Sequence, residues 1–190
     1  MKVEIEKEDV IFDEFFKVKR AHLRHEKFDG EWSRTVRRYS FEKSNAVAII
    51  LYHLEKDAIL LVRQHRYPPM IHEKAWVTEV VAGGLKHDED PWDAIERETV
   101  EEVGYIPQNL QLIHDFYVSP GVFTERIKLF YAEITDDFRP GNGGGVIDED
   151  EDIQLIWIPK SQISAFISSG EVIDAKTLIG LYFFIDKFQK

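Results

Sequence analysis

The segment between residues 83 and 105 constrains the fold and chemistry of this chain more than any other. It opens with two glycines and closes on the run Arg97-Glu98-Thr99-Val100-Glu101-Glu102-Val103-Gly104. Asp90 and Pro91 predict the start of a helix, because aspartate caps helix N-termini and proline suits the first helical position. Gly104 predicts its end. The segment is therefore expected to be a loop followed by one helix.

The two sides of that helix differ in chemistry. Spacings of three and four predict an apolar side made of Trp92, Ile95, Thr99 and Val103. Glu98 and Glu102 are four residues apart and share another face, so their charges repel unless a cation lies near them. Arg97 supplies part of that compensation, and Mg²⁺ is the better candidate because it binds carboxylate and phosphate oxygens together. The alternative is an acidic helix face that is only solvated.

The residues before the helix predict a buried strand that runs directly into the two glycines. Residues 76–82 are mostly apolar, and Gly83 and Gly84 follow at once. Glycines at this point would let the backbone approach a ligand closely.

The spacing of Gly83, Glu89, Arg97-Glu98, Glu101-Glu102 and Gly104 resembles the Nudix box, the signature of enzymes that cleave a diphosphate linked to a nucleoside. The resemblance implies a mixed α/β fold, the Nudix α/β/α sandwich, with an N-terminal antiparallel sheet. It also implies that the Ala82 carbonyl, Glu98 and Glu102 bind the metal, while Glu89 and Arg97 orient the carboxylates. Thr99 and Tyr105 stand where the family usually has aliphatic residues, which concerns packing rather than chemistry.

Strands are predicted on both sides of the box, and helices near the end of the chain. Alternation between residues 11 and 41 predicts antiparallel strands around a turn at Asp29-Gly30. A hairpin is predicted at 46–54 and 59–63, further strands at 110–118, 127–134 and 153–158, and helices at 161–169 and 174–188, with Asp174 as a cap. With the family resemblance, we expect residues 1–42 to form a β region that contributes to dimerisation and base binding. Residues 43–190 are expected to form the Nudix hydrolase domain.

Two loops after the box narrow the substrate. Ser119-Pro120-Gly121, followed by Thr124-Glu125-Arg126, is similar to a loop of the ADP-ribose pyrophosphatase group, which implies that Glu125 and Arg126 contact substrate. An ordinary turn before a strand is the alternative.

The second loop, Gly143-Gly144-Gly145-Val146 with the acidic run after it, resembles the catalytic loop of the same branch and especially that of GDP-mannose pyrophosphatases. By position in that loop, Glu149 is expected to be the general base and Glu151 a further metal ligand. Glycines on one side of the acidic run would permit a mobile lid.

Three residues outside the box are expected to contact substrate by the same resemblance. Arg66 matches an arginine that binds the diphosphate, and a guanidinium suits two phosphate oxygens at once. Phe15 and Arg38 match positions that flank the base, where aromatic and guanidinium planes can stack. Packing on a sheet face is the alternative for these two.

Composition limits the partners of the chain. A net charge of −11 over 190 residues disfavours a general binder of nucleic acids or membrane surfaces, and the absence of cysteine removes thiolate metal sites. The first residues lack a signal-peptide pattern, and residues 178–185 are apolar but too few to span a bilayer. We expect a cytoplasmic protein with no nucleic-acid or membrane partner, and the resemblance implies a homodimer.

These features predict a Nudix pyrophosphatase that depends on Mg²⁺, with Mn²⁺ as the alternative metal. The expected substrate is a nucleoside diphosphate sugar, ADP-ribose first, cleaved to a nucleoside monophosphate and a sugar phosphate. GDP-mannose, UDP-glucose or a broad range of such sugars are alternatives. A non-catalytic nucleotide-sugar sensor on the same fold is the alternative of another class, and the complete set of box carboxylates disfavours it.

Overall fold

The computed structural model describes residues 1–146 and 151–188, and the chain divides into two compact units. The first unit contains residues Met1–Asn45 and Tyr117–Arg126, and the second contains Ala46–Phe116 and Ile127–Lys190.

The first unit is built on an antiparallel sheet of three strands in the order β1-β2-β3. Their bounds are β1 Val3–Asp13, β2 Lys17–His25 and β3 Val36–Glu42. The predicted turn at Asp29-Gly30 lies between β2 and β3, and Gly30 has φ +85°, a conformation that favours glycine. The first strand begins well before residue 11, where the alternation of aromatic and charged residues was expected to start. Its early residues are nearly all exposed, and the alternation of Val3 and Ile5 with Glu4 and Glu6 is the signal that could have placed its start.

The second unit is built on a seven-stranded mixed sheet. Its central path runs β10-β5-β4-β9-β8, while β6 pairs with β5 and β7 pairs with β4. The bounds are β4 Ala46–His53, β5 Ala58–His65, β6 Trp76–Glu79, β7 Val81–Gly84, β8 Gln108–Tyr117, β9 Arg126–Ile134 and β10 Gln154–Pro159. The hairpin predicted between β4 and β5 is confirmed.

Helices cover both faces of this sheet, which confirms the expected α/β/α sandwich. They are α1 Pro91–Val103, α2 Ile163–Ser168 and α3 Ala175–Phe188. Alternate residues of β4 point into two cores: Val47 and Ile49 pack in the core that contains Ile95 of α1, and Ile50 packs in the core that contains Leu181 of α3. Burial on both faces explains why β4 is apolar from Ala46 to Leu51.

The strand predicted over residues 76–82 is two strands, and this expectation is corrected. The break falls at Val80, whose backbone N–H donates to Thr177 Oγ1 of α3 over 2.9 Å. On either side of the break the chain changes partner, from β5 to β4. Because β7 thereby pairs with β4, Gly83 and Gly84 lie beside the central strand, just before the loop that leads to α1.

The predicted ends of α1 and the predicted start of α3 are confirmed. Asp90 Oδ1 accepts a hydrogen bond from Trp92 N–H over 2.8 Å, and Gly104 ends α1 with φ +77°. Asp174 Oδ2 accepts from Thr177 N–H over 2.9 Å at the start of α3. Within the described ranges, no helix is both long and apolar enough to cross a membrane.

Candidate active site

Glu98 lies directly against the glycine that precedes the box helix. A Cβ added at Gly83 would overlap the Glu98 carboxylate, so no larger residue fits at position 83 while Glu98 keeps this place. Ala82 precedes Gly83 in β7 and pairs with Ala48 of the central strand. The backbone of β7 and the first glutamate of the box are therefore brought together, as expected from the sequence.

Arg97 binds three carboxylates at once. Its Nε donates to Glu89 Oε1 over 2.9 Å, and its Nη1 lies 2.8 Å from Glu98 Oε1 and 3.0 Å from Glu101 Oε2. Glu89 also accepts from Lys86 N–H over 2.9 Å, which fixes it at the mouth of the loop. This geometry supports an orienting function for Arg97, because it sets where the Glu98 carboxylate points.

Glu102 of α1 combines deep burial with a carboxylate oxygen that lacks a hydrogen-bond partner within the described ranges. Its side chain is 2% exposed, and Oε2 has no hydrogen-bond partner among the described residues. Burial raises the pKa of its carboxyl well above the ordinary value, and the nearby negative charges of Glu98 and Glu151 raise it further. A buried carboxylate oxygen without a partner costs free energy unless a proton or a cation satisfies it. The position is therefore suited to a divalent cation.

The Glu98 carboxyl lies in the same environment. Burial raises its pKa, and the adjacent Arg97 guanidinium opposes that shift. Glu101 and Glu151 raise it further. The structure thus brings Glu151 into the same negative field as Glu98 and Glu102, although it is far from both in sequence.

Arg66 lies immediately after β5 and is held by a buried acid. Its Nε donates to Glu79 Oε1 over 2.7 Å, and Lys176 Nζ lies 3.5 Å from Glu79 Oε2. The Arg66 charge partly offsets the raised pKa of Glu102, so Arg66 belongs to the electrostatic environment of the box. Sequence analysis did not identify Glu79 or Lys176. A charged residue in an otherwise apolar strand, as at position 79, is the signal that could have found the first.

A segment that we call the glycine strap, Gly141–Gly145, lies on the C-terminal end of α1. Gly144 N–H donates to the Glu102 carbonyl over 2.9 Å, and Gly145 N–H donates to the Glu101 carbonyl over 3.3 Å. These contacts differ from the expected use of the glycines as a flexible side of a lid. Glu149 lies outside the described residues, so its expected function as general base stays a prediction.

The comparisons with known proteins agree with this geometry. The model of the NUDIX domain matches residues 42–178. The chain belongs to the Nudix family.

Curated relatives of this Nudix protein share its full length. A GDP-mannose pyrophosphatase of Citrobacter koseri is 34% identical over 180 residues, covering 94% of this chain and 92% of the relative. A GDP-mannose pyrophosphatase of Escherichia coli O157:H7 is 35% identical over 175 residues, covering 91% and 90%. The predicted enzyme class, a Nudix pyrophosphatase, is confirmed, which leaves no support for the sensor alternative.

A solved structure supports the fold. The chain superposes on a crystal structure described as an ADP compounds hydrolase with a TM-score of 0.76, covering 100% of this chain and 95% of that one at 18% identity. At that identity the likeness shows the fold alone.

The first unit of this Nudix protein holds the other predicted substrate residues. Phe15 is 85% exposed, in the turn between β1 and β2, and Lys43 Nζ lies 5.6 Å from the centre of its ring. Lys43 Nζ also lies 3.7 Å from Glu125 Oε1, so Lys43 connects two residues that sequence analysis singled out separately. Phe15, Glu42 and Lys43 line a cavity of about 390 Å³. Sequence analysis missed Lys43, since a lone lysine after a strand carries no motif.

The two other predicted substrate residues, Arg126 and Arg38, also lie in the first unit. Arg126 begins β9 and its guanidinium lies 5.6 Å from the centre of the Tyr117 ring. Arg38 is exposed on β3, and its Nη1 donates to the Arg37 carbonyl over 3.0 Å. Neither arrangement tests their expected contact with substrate.

A second group of possible metal ligands lies elsewhere in the second unit of the Nudix fold. Within the described ranges, His53, Glu55 and Asp136 form the one group of three whose ligand atoms all lie within 4.8 Å of one another. Lys56 Nζ is 2.7 Å from both Asp136 oxygens and 2.7 Å from His53 Nε2. An ammonium group therefore already occupies the position that a metal ion would take.

Proposed function

We propose that the chain hydrolyses the diphosphate of a nucleoside diphosphate sugar in a Mg²⁺-dependent reaction, with GDP-mannose as the first candidate substrate. The observation that carries the metal-dependent part is the buried Glu102 carboxylate oxygen without a hydrogen-bond partner, in the same field as Glu98 and Glu151. The products would be a nucleoside monophosphate and a sugar phosphate.

The donor set fits a hard divalent cation. Glu98, Glu102 and Glu151 offer carboxylate oxygens, and the Ala82 carbonyl offers a neutral one, which is the ligand chemistry that Mg²⁺ and Mn²⁺ prefer. When bound, the metal lowers the pKa of a bound water and neutralises charge that grows on the diphosphate. Arg97 would hold the Glu98 carboxylate in the orientation that binds the metal.

Other residues of the chain would bind the diphosphate and move the proton. The Nε–Glu79 hydrogen bond sets the direction of the Arg66 guanidinium, whose Nη groups remain suited to two phosphate oxygens. Glu149, a few residues from Glu151 in the chain, would accept the proton of the attacking water. A carboxylate surrounded by like charges is a stronger base than an isolated one, because its protonated form is favoured.

Different parts of the chain support GDP-mannose and ADP-ribose as substrates. Relatives named GDP-mannose pyrophosphatases cover more than 90% of this chain at 34–35% identity, and the Gly143-Gly144-Gly145-Val146 loop points the same way. The Thr124-Glu125-Arg126 segment favours ADP-ribose as the second candidate. Phe15 and Arg38 are proposed to stack on the base, with Lys43 beside Phe15 as a further cation.

A homodimer is part of the proposal. The edge strand β1 exposes apolar side chains at Val3, Ile5, Val10 and Ile11. An exposed strand edge with such residues is a natural surface for association. Light scattering at micromolar concentration should give twice the mass of the chain, and a monomer mass would contradict this part.

The function is tested by phosphate release in the presence of Mg²⁺ and a coupled phosphatase. GDP-mannose, ADP-ribose, UDP-glucose and ATP are compared at equal concentration. We expect turnover of GDP-mannose, with kcat/KM above that of the other three. Higher kcat/KM with ADP-ribose would reverse the order of the two candidates, and turnover of ATP alone would contradict the substrate class.

A further inference from the structure

The C-terminal end of α1 needs hydrogen-bond donors, and the glycine strap supplies them. The last carbonyl groups of any helix have no partner inside the helix. In α1 two of them, from Glu101 and Glu102, accept from the backbone N–H groups of Gly145 and Gly144. The strap therefore caps the same turn of helix that carries the second metal-ligating glutamate of the box.

Only glycine allows the strap to lie this close. Gly143, Gly144 and Gly145 have φ values of +67°, +109° and +89°, a run of three that other residues rarely adopt. A Cβ at Gly143 would lie 2.5 Å from the Glu102 carbonyl oxygen and 2.5 Å from backbone atoms of Val103. Backbone atoms of a helix cannot move aside as a flexible side chain can, so a methyl group there would lift the strap from α1.

The C-terminal end of the strap lies beside Glu151. Beyond the strap, Val146 N–H donates to Glu151 Oε2 over 3.2 Å, and Glu151 N–H donates to the Val146 carbonyl over 3.4 Å. A Cβ at Gly145 would lie 2.6 Å from Glu151 Cβ. One short piece of backbone thus contacts the helix turn of Glu102 at one end and the Glu151 carboxylate at the other.

We propose that the glycine strap is a positioning element that couples the end of α1 to Glu151, so that Glu102 and Glu151 present their carboxylates to one cation as a preformed pair. The inference rests on the proposed function, because it concerns the same site. The strap would then serve positioning rather than loop flexibility, because it would fix the Glu102 and Glu151 carboxylates relative to each other in the metal-free protein.

The test compares Gly143→Ala with Gly170→Ala. Gly170 has φ +74°, close to that of Gly143, but a Cβ there meets nothing within 4 Å. The two variants share the strain of a positive φ and differ in the clash with α1. Mn²⁺ affinity is measured without substrate, from the electron paramagnetic resonance signal of free Mn²⁺, and kcat and KM are measured separately.

For Gly143→Ala we expect Mn²⁺ affinity and kcat to fall about tenfold or more, the size typical when the groups that orient metal ligands are lost, with KM changed less than about threefold. Gly170→Ala should match the parent in Mn²⁺ affinity. Equal Mn²⁺ affinity in the two variants would overturn the proposal.

Two further variants sharpen the test, and the first keeps it decisive if Gly143→Ala does not fold. Gly145→Ala clashes with Glu151 rather than with α1, so it should weaken Mn²⁺ binding while circular dichroism stays unchanged; full Mn²⁺ affinity would count against the strap. Where Gly143→Ala does fold, Glu151→Gln should cost little more in that background than the glycine change alone. Additive losses would show that the strap does not act through Glu151.

The failure of this inference is distinguishable from failure of the proposed function. Mn²⁺ titration needs no nucleotide sugar. If the parent protein turned over no nucleoside diphosphate sugar while the strap variants still lost Mn²⁺ affinity, the proposed substrate class would fall and the positioning strap would stand.

Discussion

Two groups of carboxylates in the second unit, one beside His53 and one on α1, have pKa shifts in opposite directions. Around His53, the ammonium of Lys56 holds the pKa of the Asp136 carboxyl well below its usual range, and hydrogen bonds from His53 and Tyr105 act in the same direction. On α1, burial raises the pKa of Glu102, and neighbouring carboxylates raise it further. Lys56 pairs with Asp136 in the first group, whereas Arg97 pairs with Glu98 in the second and leaves Glu102 Oε2 without a partner among the described residues.

If the cation binds at Glu102 as proposed, closeness of acidic groups is a poor guide to a metal site. His53, Glu55 and Asp136 are the more compact group, yet Lys56 already contacts Asp136 and His53. Glu102 is part of a looser group, but it combines burial, an oxygen without a partner and like-charged neighbours. The proposed cation site is therefore chosen by burial and by the oxygen without a partner, rather than by ligand spacing alone.

The largest expected effect is on catalysis. Glu102→Gln should lower kcat by about a thousandfold or more, because it removes a charge that is proposed to hold the metal at the reacting diphosphate. Glu96→Gln makes the same change at an exposed position of α1 and serves as the matched control, with kcat near that of the parent. Steady-state turnover at saturating Mg²⁺ measures both, and equal rates would refute the assignment of Glu102.

The second effect is on stability without metal. A raised pKa in the folded state means that the folded protein holds its proton to higher pH than the unfolded chain does. The contribution of Glu102 to stability therefore falls as pH rises above the ordinary value of 4.5, and the full penalty is present above the folded pKa.

Glu102→Gln should consequently be more stable than the parent at pH 8 in EDTA, by about 1 to 3 kcal/mol. The difference should shrink toward pH 4. Mg²⁺ should stabilise the parent but not the variant. Urea unfolding across this pH range measures the effect, and a parent that is the more stable of the two at pH 8 without metal would contradict the account.

A smaller effect on stability is expected in the group of His53, Glu55 and Asp136. Lys56→Met removes the built-in cation and should lower Tm by no more than about 4 °C, because the pair is partly exposed. It should leave kcat unchanged. Differential scanning calorimetry and turnover together make the check, and a large loss of activity would mean that this group takes part in catalysis after all.

The smallest effect is expected from Tyr105→Phe. Its hydroxyl donates to Asp136 Oδ1 over 2.8 Å, while its ring is fully buried and packs edge-on against His53 and Trp157. Phenylalanine keeps the ring, so Tm should fall less than in Lys56→Met and Mn²⁺ affinity should not change. A change in Mn²⁺ affinity would show that the two carboxylate groups communicate.

The ends of α1 and the start of α3 could be predicted from the sequence because they depend on residues that are close together in the chain. Asp90, Gly104 and Asp174 mark helix ends through their own backbone and side-chain chemistry, and each lies where expected. Thr99 needed a hydroxyl partner, and its Oγ1 donates to the Ile95 carbonyl one turn earlier. Such contacts involve neighbours in sequence, so no tertiary knowledge is required.

The parts that sequence analysis missed depend on contacts between distant segments. The break at Val80 exists because Thr177 of α3 accepts its N–H. Glu79 pairs with Arg66, just after β5, and with Lys176 of α3. Lys43 lies between Phe15 and Glu125, which is more than 80 positions away in sequence. The function of the glycines after residue 140 is visible only once they lie on α1. No spacing rule along one segment contains this information.

One measurement tests the central claim most directly: anomalous diffraction from crystals of the protein soaked in Mn²⁺. The account predicts anomalous density among the carboxylates of Glu98, Glu102 and Glu151, and none beside His53 and Asp136. Density beside Asp136, or its absence among the three glutamates, would contradict the claim that the cation binds where the buried charges lack a partner.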